Sequence, residues 1–469
     1  MIYSENNWEE TLMRTKLVLT FLSGMLPGIA MATNGYFLPG FGVKSEGAGG
    51  IGVAVAQDAL SVVTNPANAT ETGMRGDLGI TLFNPERWSA TGNATGVPPD
   101  PTGNTGGFGF NGASESANPL YVLPDMGFTM PLNSRLSLGF AVVGNGGMNT
   151  TYTTNFFGLG KNPAKPLGAS VPATVGVDLM QLLAPVTLAY KVNSEQSLGA
   201  SLNLAAQRFK ANGLGQFATF GISSNPTLLT NNGYDFSFGV GGKLGWLGKF
   251  LDDRVSVGAT WSSRVDMSHF KEYAGLFADG GDFDIPENFA FGVALKPINR
   301  LTAAFDVERI LYKQVASVGD PGPGTTGGSG YSQDFILDQI ANGTGTSSNP
   351  YALGEPQGMG FGWTDMTVYK VGLIYDMSDK LTVRAGYNYG HMPIRHDQAV
   401  FSALAPAVVQ RHYSLGFTYS LPTELPMELS GFYMYVPNVE VMENAQAVVD
   451  QVAYQMHQNI LGIGLGVKY

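Results

Sequence analysis

Residues 234–246, YDFSFGVGGKLGW, alternate large apolar side chains with small or polar ones. Tyr234, Phe236 and Phe238 fall on one face of an extended chain, whereas Ser237 falls on the other. Because successive side chains of a β-strand point to opposite sides, this stretch predicts a strand with one apolar face. A strand of about 9–11 residues with this pattern can cross a bilayer and place its apolar side chains in the lipid.

The same alternation recurs along most of the chain, as in Leu381–Tyr389 and Tyr413–Leu421. About fourteen such segments start near residues 77, 125, 135, 183, 197, 234, 254, 288, 300, 366, 381, 411, 427 and 457. Tight connections such as Asn133-Ser134 and Pro297–Asn299 alternate with long ones. Short turns on one side and long loops on the other are typical of an outer-membrane barrel. The predicted fold is all-β, an about 14-stranded antiparallel transmembrane β-barrel with both termini in the periplasm.

The composition agrees with a barrel and excludes other classes of protein. Charged residues make up 13% of the chain, aromatic residues make up 11%, and there are 63 glycines. A net charge of −11 disfavours a nucleic-acid partner, because phosphates require a basic surface. The chain has no cysteine, which excludes disulfides and thiolate metal sites.

One early stretch, Thr33–Met74, does not alternate and is rich in glycine and small residues. Fourteen strands enclose a lumen that is too wide for wall side chains alone to fill. We therefore expect residues 33–74 to form a plug, or hatch, inside a barrel of residues 75–469. The run Gly47–Gly52 matches the GxGxxG motif of dinucleotide folds, but no apolar strand precedes it and no βαβ pattern follows. No nucleotide or other cofactor is predicted.

The N-terminus has the pattern of an export signal. A basic region precedes an apolar stretch over Leu17–Ile29 and a small-x-small site at Ala30-Met31-Ala32. We expect residues 1–32 to be a signal peptide. Met1–Leu12 contains three glutamates, which is unusual in a signal peptide, so Met13 is a candidate for the true start.

The last segment, Leu461–Tyr469, alternates apolar residues with glycines and lysine and ends on an aromatic residue. An amphipathic last strand of this kind resembles the tag that the outer-membrane assembly machinery recognises. The expected surroundings are the lipids and lipopolysaccharide of the outer membrane of a Gram-negative bacterium.

Charged residues inside the predicted strands have two interpretations. Arg208 and Lys210 end the fifth predicted strand. Others in strand positions that could point inward are Lys370, Arg384, Asp306 and Glu308. These groups either pair across a wet lumen, or one or two cations hold an anionic head group in an apolar pocket.

Two predicted long loops are unusually apolar, at Asn155–Leu159 and Asp178–Leu183. Exposed apolar loops are costly unless they pack together or receive a ligand. Gly144–Gly147 is expected to break or kink the third strand. His391 and His396 fit a solvated loop better than a metal site, and no catalytic triad or carboxylate pair stands out.

The hatch motifs and the barrel pattern together resemble the FadL/TodX family of outer-membrane transporters of hydrophobic compounds. The motifs that carry the resemblance are Asn34-Gly35-Tyr36-Phe37, Gly42–Gly52, Asp58-Ala59 and Asn65-Pro66-Ala67. The resemblance covers the whole mature chain, although the barrel matches in pattern rather than in identity.

The resemblance implies a path for the substrate and a role for particular residues. A groove between extracellular loops would capture the substrate with Phe156, Phe157, Leu159, Leu179 and Met180. The hatch pocket would contain Tyr36, Phe37 and Leu38. A sideways exit into the membrane would open at Gly144, Asn145, Gly146 and Gly147. A carboxylate would be held by Arg208 or Lys210. Asn65, Pro66 and Ala67 would hold the shape of the hatch without contacting substrate.

The function expected from the resemblance is passive uptake of hydrophobic molecules by a monomer, without catalysis or a cofactor. Long-chain fatty acids are the leading substrate. Neutral aromatic or aliphatic hydrocarbons are the near alternative. A general porin for small polar solutes and an outer-membrane lipid hydrolase are more distant alternatives.

Overall fold

The computed structural model describes residues 34–92, 112–157, 174–219, 222–322, 350–444 and 451–469. In these residues, fourteen antiparallel strands form one sheet that closes on itself, because the first strand pairs with both the second and the last. They are β1 (Arg75–Thr91), β2 (Tyr121–Pro131), β3 (Leu136–Asn149), β4 (Gly176–Lys191), β5 (Gln196–Asn212), β6 (Asp235–Phe250), β7 (Val255–Ser262), β8 (Asn288–Ile298), β9 (Leu301–Ile310), β10 (Met366–Asp376), β11 (Leu381–Gly390), β12 (Arg411–Ser420), β13 (Met427–Asn444) and β14 (Gln451–Lys468). The predicted barrel is confirmed.

The period-two pattern explains the wall. Phe236 and Phe238 on β6 are 52% and 60% exposed, whereas Ser237 between them is fully buried. Apolar side chains therefore face outward toward lipid, and small or polar ones face the lumen. No helix in the described part of the chain is long and apolar enough to cross a membrane.

Some strands extend well beyond the predicted limits. β4 begins at Gly176, so Asp178–Leu183 belongs to this strand and the expectation that it lies in a loop is wrong. The inner and outer faces of the strand are both covered there, and a strand buried on both faces does not alternate. Two short strands, Gly112–Glu115 and Asp266–Met267, pair with β1 and β6.

The connections at the end of the barrel opposite Tyr469 fold over the lumen. They contain short helices at Gly215–Thr219, Ala278–Gly281 and Ala316–Gly319, and 3-10 turns at Pro226–Leu228, Lys271–Tyr273, Tyr312–Gln314, His396–Gln398 and Phe401–Ala403. Their apolar side chains form one buried cluster with the inner faces of the long strands. The predicted signal peptide and Leu159 lie outside the described residues.

The segment that precedes β1 lies inside the barrel. It contains α1 (Val43–Glu46), α2 (Ser61–Thr64) and a 3-10 turn at Pro66–Thr70. The Asn65 side chain accepts a hydrogen bond from the Ala67 amide at 3.0 Å and donates to the Trp246 carbonyl of β6 at 3.0 Å. This asparagine thus shapes the start of the turn and ties the hatch to the wall.

Ionic contacts anchor the hatch near the periplasmic end. Lys44 of α1 contacts the Glu428 carboxylate at 2.6 Å, and Arg75 of β1 contacts the same carboxylate at 3.1 Å. Lys468 of β14 is a third partner of Glu428. Asp77 is bound by Arg75 at 2.7 Å and accepts a hydrogen bond from the hatch amide of Ala59 at 2.9 Å. This group of charges is referred to below as the Glu428 cluster.

Candidate functional site

An apolar cavity lies beneath the folded loops. It is lined by the inner faces of long strands, through Val177 and Phe209, and by loop residues such as Phe217 and Phe361. Ser317 is the one polar side chain among its lining residues in the described part of the chain, and no charged side chain lines it. The lining of this cavity suits an apolar molecule and provides nothing to neutralise a charged one.

The predicted loop residues lie next to this cavity rather than at an exposed surface. Phe156 and Phe157 are fully buried. Phe157 contacts Phe217 with ring centroids 5.3 Å apart, and Phe217 lines the cavity. Phe156 and Phe157 therefore support the cavity wall from behind. Their predicted contact with substrate stays a prediction.

A series of contacts between aromatic rings connects the apolar cavity with the start of the hatch. The ring of Phe277, which lines the cavity, is 4.9 Å from that of Phe283, which in turn lies 5.9 Å from Tyr36. Tyr312 contacts both Tyr36 and Phe37, at 5.0 and 5.8 Å. Burial raises the pKa of the Tyr36 hydroxyl well above its ordinary value, so the group stays neutral. Aromatic rings therefore make up much of the surroundings of Tyr36.

Hatch residues take the place of a missing strand partner in the wall. Hydrogen-bonded pairing between β2 and β3 ends at Met126 and Val142, although β3 continues to Asn149. Beyond that point, the carbonyl of Tyr36 accepts a hydrogen bond from the Gly147 amide at 3.0 Å. The Leu38 amide donates to the Asn145 carbonyl at 3.1 Å. The edge of β3 is therefore covered by the hatch.

The glycines of β3 make this contact possible. The pairing of β3 with β4 shifts register between Gly144 and Gly146, in the segment predicted to break the strand. A Cβ atom at Gly146 would lie 1.7 Å from the Tyr36 carbonyl oxygen. Only a residue without a side chain allows the hatch to approach so closely. The assignment of Gly144–Gly147 as a gate stays a prediction.

A second cavity borders the start of the hatch. Phe37 and Leu38 line it, together with the charged groups Lys243, Asp306, Glu308 and Lys370. The Lys370 ammonium contacts Glu308 at 2.8 Å. Lys370 and Glu308 thus pair with each other, but on neighbouring strands rather than across the lumen.

Asp306 and Arg384 hold the hatch as well. The Asp306 carboxylate accepts hydrogen bonds from the hatch amides of Gly52 and Val53 at 2.8 and 3.0 Å. Arg384 donates to the side chain of Gln57 at 2.9 Å. These inward-facing charges therefore serve at least to fix the hatch in the lumen.

The cations predicted for a carboxylate do not face the lumen. On β5, Phe209 is buried toward the lumen, so Arg208 and Lys210 on either side of it point outward, and this expectation is wrong. The Arg208 guanidinium lies 3.5 Å from Asp178 and 4.4 Å from the centre of the Tyr234 ring. In a strand, an error of one residue in register moves a side chain to the opposite face.

The other predicted residues on β4 are placed as follows. Leu179 is fully buried and follows the inward alternation of the strand. Met180 is paired across the sheet with Arg208, on the outward face. In the part of the chain that the structure describes, neither Leu179 nor Met180 lines the apolar cavity. Sequence reasoning also missed Tyr312 and Trp363, which pack against Tyr36 but lie in connections without periodicity.

A family model described as "Outer membrane protein transport protein (OMPP1/FadL/TodX)" matches residues 30–469. The chain belongs to this family. It is accordingly an outer-membrane transport protein rather than an enzyme, and the family it belongs to transports hydrophobic compounds.

Solved structures with the same fold include other members of the FadL/TodX family. The Pseudomonas putida toluene transporter TodX is 16% identical, with a TM-score of 0.62 over 92% of this chain and 99% of that one. A Pseudomonas aeruginosa FadL homologue is 15% identical, with a TM-score of 0.62 and the same coverage. The Ralstonia pickettii toluene transporter TbuX is 16% identical, with a TM-score of 0.55 over 91% and 98% of the two chains. No match is found among curated proteins.

Proposed function

We propose that this FadL/TodX family member takes up neutral hydrophobic molecules passively, with aromatic or aliphatic hydrocarbons as the substrate class. The observation that carries the proposal is the uncharged, almost wholly apolar cavity beneath the loops, which rings connect to the start of the hatch. Each methylene that stays out of water along such a path is favourable by about 0.8 kcal/mol.

The proposed exit leads sideways into the membrane. Tyr36–Leu38 would detach from the edge of β3 and leave an opening between β2 and β3, at the height of Gly144–Gly147. An apolar molecule that leaves there enters lipid directly and avoids the aqueous periplasm. The hatch that fills the lumen argues against a general porin.

Fatty acids are the second candidate substrate, and one observation favours them. Lys243 and Lys370 line the polar cavity beside Phe37 and Leu38, where a carboxylate could replace the present partners of either ammonium. The solved relatives include proteins described as toluene transporters and monoaromatic hydrocarbon channels, as well as a FadL homologue. Those descriptions are compatible with both candidates.

Uptake measurements decide between the candidates. Labelled toluene and labelled oleate are supplied to cells that lack the protein and to complemented cells. We expect complementation to raise toluene uptake more than oleate uptake. Equal toluene rates with and without the protein would refute the proposal, and a rise in oleate uptake alone would favour fatty acids.

Removal of cations tests whether any of them holds the substrate. We expect toluene uptake to stay within about twofold in both the Lys243→Met/Lys370→Met and the Arg208→Ala/Lys210→Ala variants, because a neutral ring needs no counter-charge. The second pair, which faces outward, is the matched control. Loss of oleate uptake in the first pair alone, after measurable uptake by the unaltered protein, would assign the carboxylate site to the lumen.

Truncation of Phe37 tests the role of the hatch start. We expect Phe37→Ala to reduce uptake by about tenfold or more while the barrel stays folded, because the ring contacts Tyr36 and Tyr312 along the proposed path. Heat-modifiable gel mobility reports the folded barrel. If the barrel fails to fold in this variant, Phe37 is structural and this assignment is wrong.

A further inference from the structure

Two glutamine side chains face the lumen side by side on neighbouring strands. Gln181 of β4 and Gln207 of β5 are directly paired across the sheet, and both follow the inward alternation of their strands. They are 0% and 2% exposed. Opposite side chains of an antiparallel pair lie about 5 Å apart at Cβ, so the two amides are close neighbours. They are called the glutamine pair below.

The glutamine pair lies on the wall between the two cavities described above. On β4, Val177 lines the apolar cavity and Leu183 lines the second cavity, with one glutamine of the pair between them. On β5, Phe209 lines the apolar cavity and Asn203 lines the second, again with a glutamine between them. A molecule that moves along this wall from the apolar cavity toward the start of the hatch therefore passes the glutamine pair.

Each glutamine of the pair has one end of its amide bonded within the protein. Gln207 Nε2 donates to the Phe283 carbonyl at 3.0 Å, and because a carbonyl can only accept, Oε1 remains as an acceptor. Gln181 Oε1 accepts from the side chain of Asn145 at 2.9 Å, which leaves Nε2 as a donor. In the described part of the chain, these two remaining atoms have no hydrogen-bond partner and do not bond to each other. The pair therefore offers one donor and one acceptor side by side.

The hatch covers the glutamine pair with a phenol. The side chain of Tyr36 is fully buried beside Gln181, and its ring lies 5.9 Å from that of Phe283. Its hydroxyl has no well-directed hydrogen bond within the residues that the structure describes. Detachment of Tyr36–Leu38, as proposed for the exit, would move this phenol away and leave room for another molecule beside the pair.

We infer that the glutamine pair binds the hydroxyl group of a neutral hydrophobic molecule, that is, of a phenol or an aliphatic alcohol. Gln181 Nε2 donates a hydrogen bond to the hydroxyl oxygen, and the hydroxyl hydrogen is donated to Gln207 Oε1. The inference rests on the proposed function and narrows its substrate class. An ether oxygen or a carboxylate only accepts hydrogen bonds and a hydrocarbon forms none, so none of them satisfies both glutamines.

The glutamine pair favours passage of a hydroxyl compound for a simple physical reason. A hydroxyl group that leaves water for an apolar path loses its hydrogen bonds, and this loss opposes uptake unless the wall provides new ones. The pair provides both without adding a charge. A water molecule has the same pattern of donor and acceptor, so the experiment must distinguish a substrate hydroxyl from water.

The test compares three labelled probes: p-cresol, p-methylanisole and toluene. They share a methylated ring, and only p-cresol carries a hydroxyl, which is neutral at about pH 7. Uptake is measured in cells that contain the unaltered protein, Gln207→Met, Gln181→Met/Gln207→Met, or no protein. The control variant, Gln458→Met, removes an inward-facing and fully buried glutamine of β14, a strand that does not pair with β4 or β5. Heat-modifiable mobility verifies folding of every variant.

We expect the double variant to lower p-cresol uptake at least about fivefold and to leave toluene uptake within about twofold. Gln207→Met removes only the acceptor, so it should lower the uptake of p-cresol but leave that of p-methylanisole within about twofold. Gln458→Met should keep the ratios of the unaltered protein. An unchanged ratio of p-cresol to toluene in the folded double variant means that the pair holds water only, and it overturns the inference while the proposed function stands.

A competition measurement needs no variant and tests the same inference if the substituted barrels do not fold. Unlabelled p-cresol should inhibit toluene uptake by the unaltered protein at a concentration at least about fivefold lower than p-methylanisole does. Equal inhibition by the two compounds would show that the hydroxyl hydrogen is not recognised. If the unaltered protein takes up neither toluene nor p-cresol above the level of cells without it, the proposed function fails, and this inference fails with it.

Discussion

Replacing Gly146 with alanine is expected to detach the start of the hatch from the wall. The new methyl carbon would lie 1.7 Å from the carbonyl oxygen of Tyr36, and that oxygen accepts the hydrogen bond from Gly147. Both atoms belong to main chain, so no side-chain rotation relieves the clash. The hatch must move, and the edge of β3 loses its partner.

Because the chain has no cysteine, a single introduced cysteine is its only thiol and can report this detachment. A single cysteine in place of Phe37, which is 5% exposed, reports opening through its rate of reaction with a maleimide. We expect Gly146→Ala to raise that rate about tenfold for each ~1.4 kcal/mol of docking free energy that is lost. Gly144→Ala is the matched control, because its Cβ would meet the Leu123 side chain at an ordinary 3.4 Å. Equal rates in the two variants would contradict this account of the contact.

Replacing Glu428 with glutamine is expected to loosen the hatch at its other end. The side chains of Lys44, Arg75 and Glu428 are 6%, 4% and 11% exposed, so the cluster is largely buried. Removing one partner of a buried ion pair typically costs about 3–5 kcal/mol, because the remaining charges lose their compensation. The hydrogen bonds of the wall do not depend on this carboxylate, so we expect the barrel to persist.

The consequence is measured at α1 and in the whole molecule. A cysteine at Val43, which is buried beside Lys44, should become reactive in Glu428→Gln, and the protein should pass small sugars in liposome swelling. Glu424→Gln, in an exposed turn, removes an acid without an ion pair in the described structure and should change neither result. If Val43 stays protected in Glu428→Gln, the hatch is held by its packing rather than by the cluster.

The sequence predicted the barrel well because each wall strand has one face toward lipid and one toward the lumen. Apolar and polar side chains therefore alternate along it. β10, β11, β12 and β13 begin at Met366, Leu381, Arg411 and Met427, the positions that the alternation indicated. The prediction failed where that physical situation ends. At Asp178–Leu183 neither face of β4 contacts lipid, so the pattern disappears although the strand continues.

The candidate site was only partly predictable. Tyr36 and Phe37 were indicated by motif, but their partners Tyr312 and Trp363 come from distant connections, and no local pattern brings them together. For Arg208 the strand itself was predicted correctly, but the register was wrong by one residue. The prediction therefore placed this charged side chain on the lumen face, whereas it lies on the outer face. Sidedness in a strand depends on register, which the ends of long strands define poorly.

The Glu428 cluster also bears on the order of events during folding. It joins β1 through Arg75 and β14 through Lys468, which are the two strands whose pairing closes the cylinder, and it joins both to the hatch through Lys44. The hatch backbone lies so close to the wall that a Cβ at Gly386 would come within 2.0 Å of the Gly49 nitrogen. A finished cylinder leaves little room to thread such a segment inside. We therefore expect the hatch to occupy its position before the first and last strands pair. The barrel would then close around the hatch.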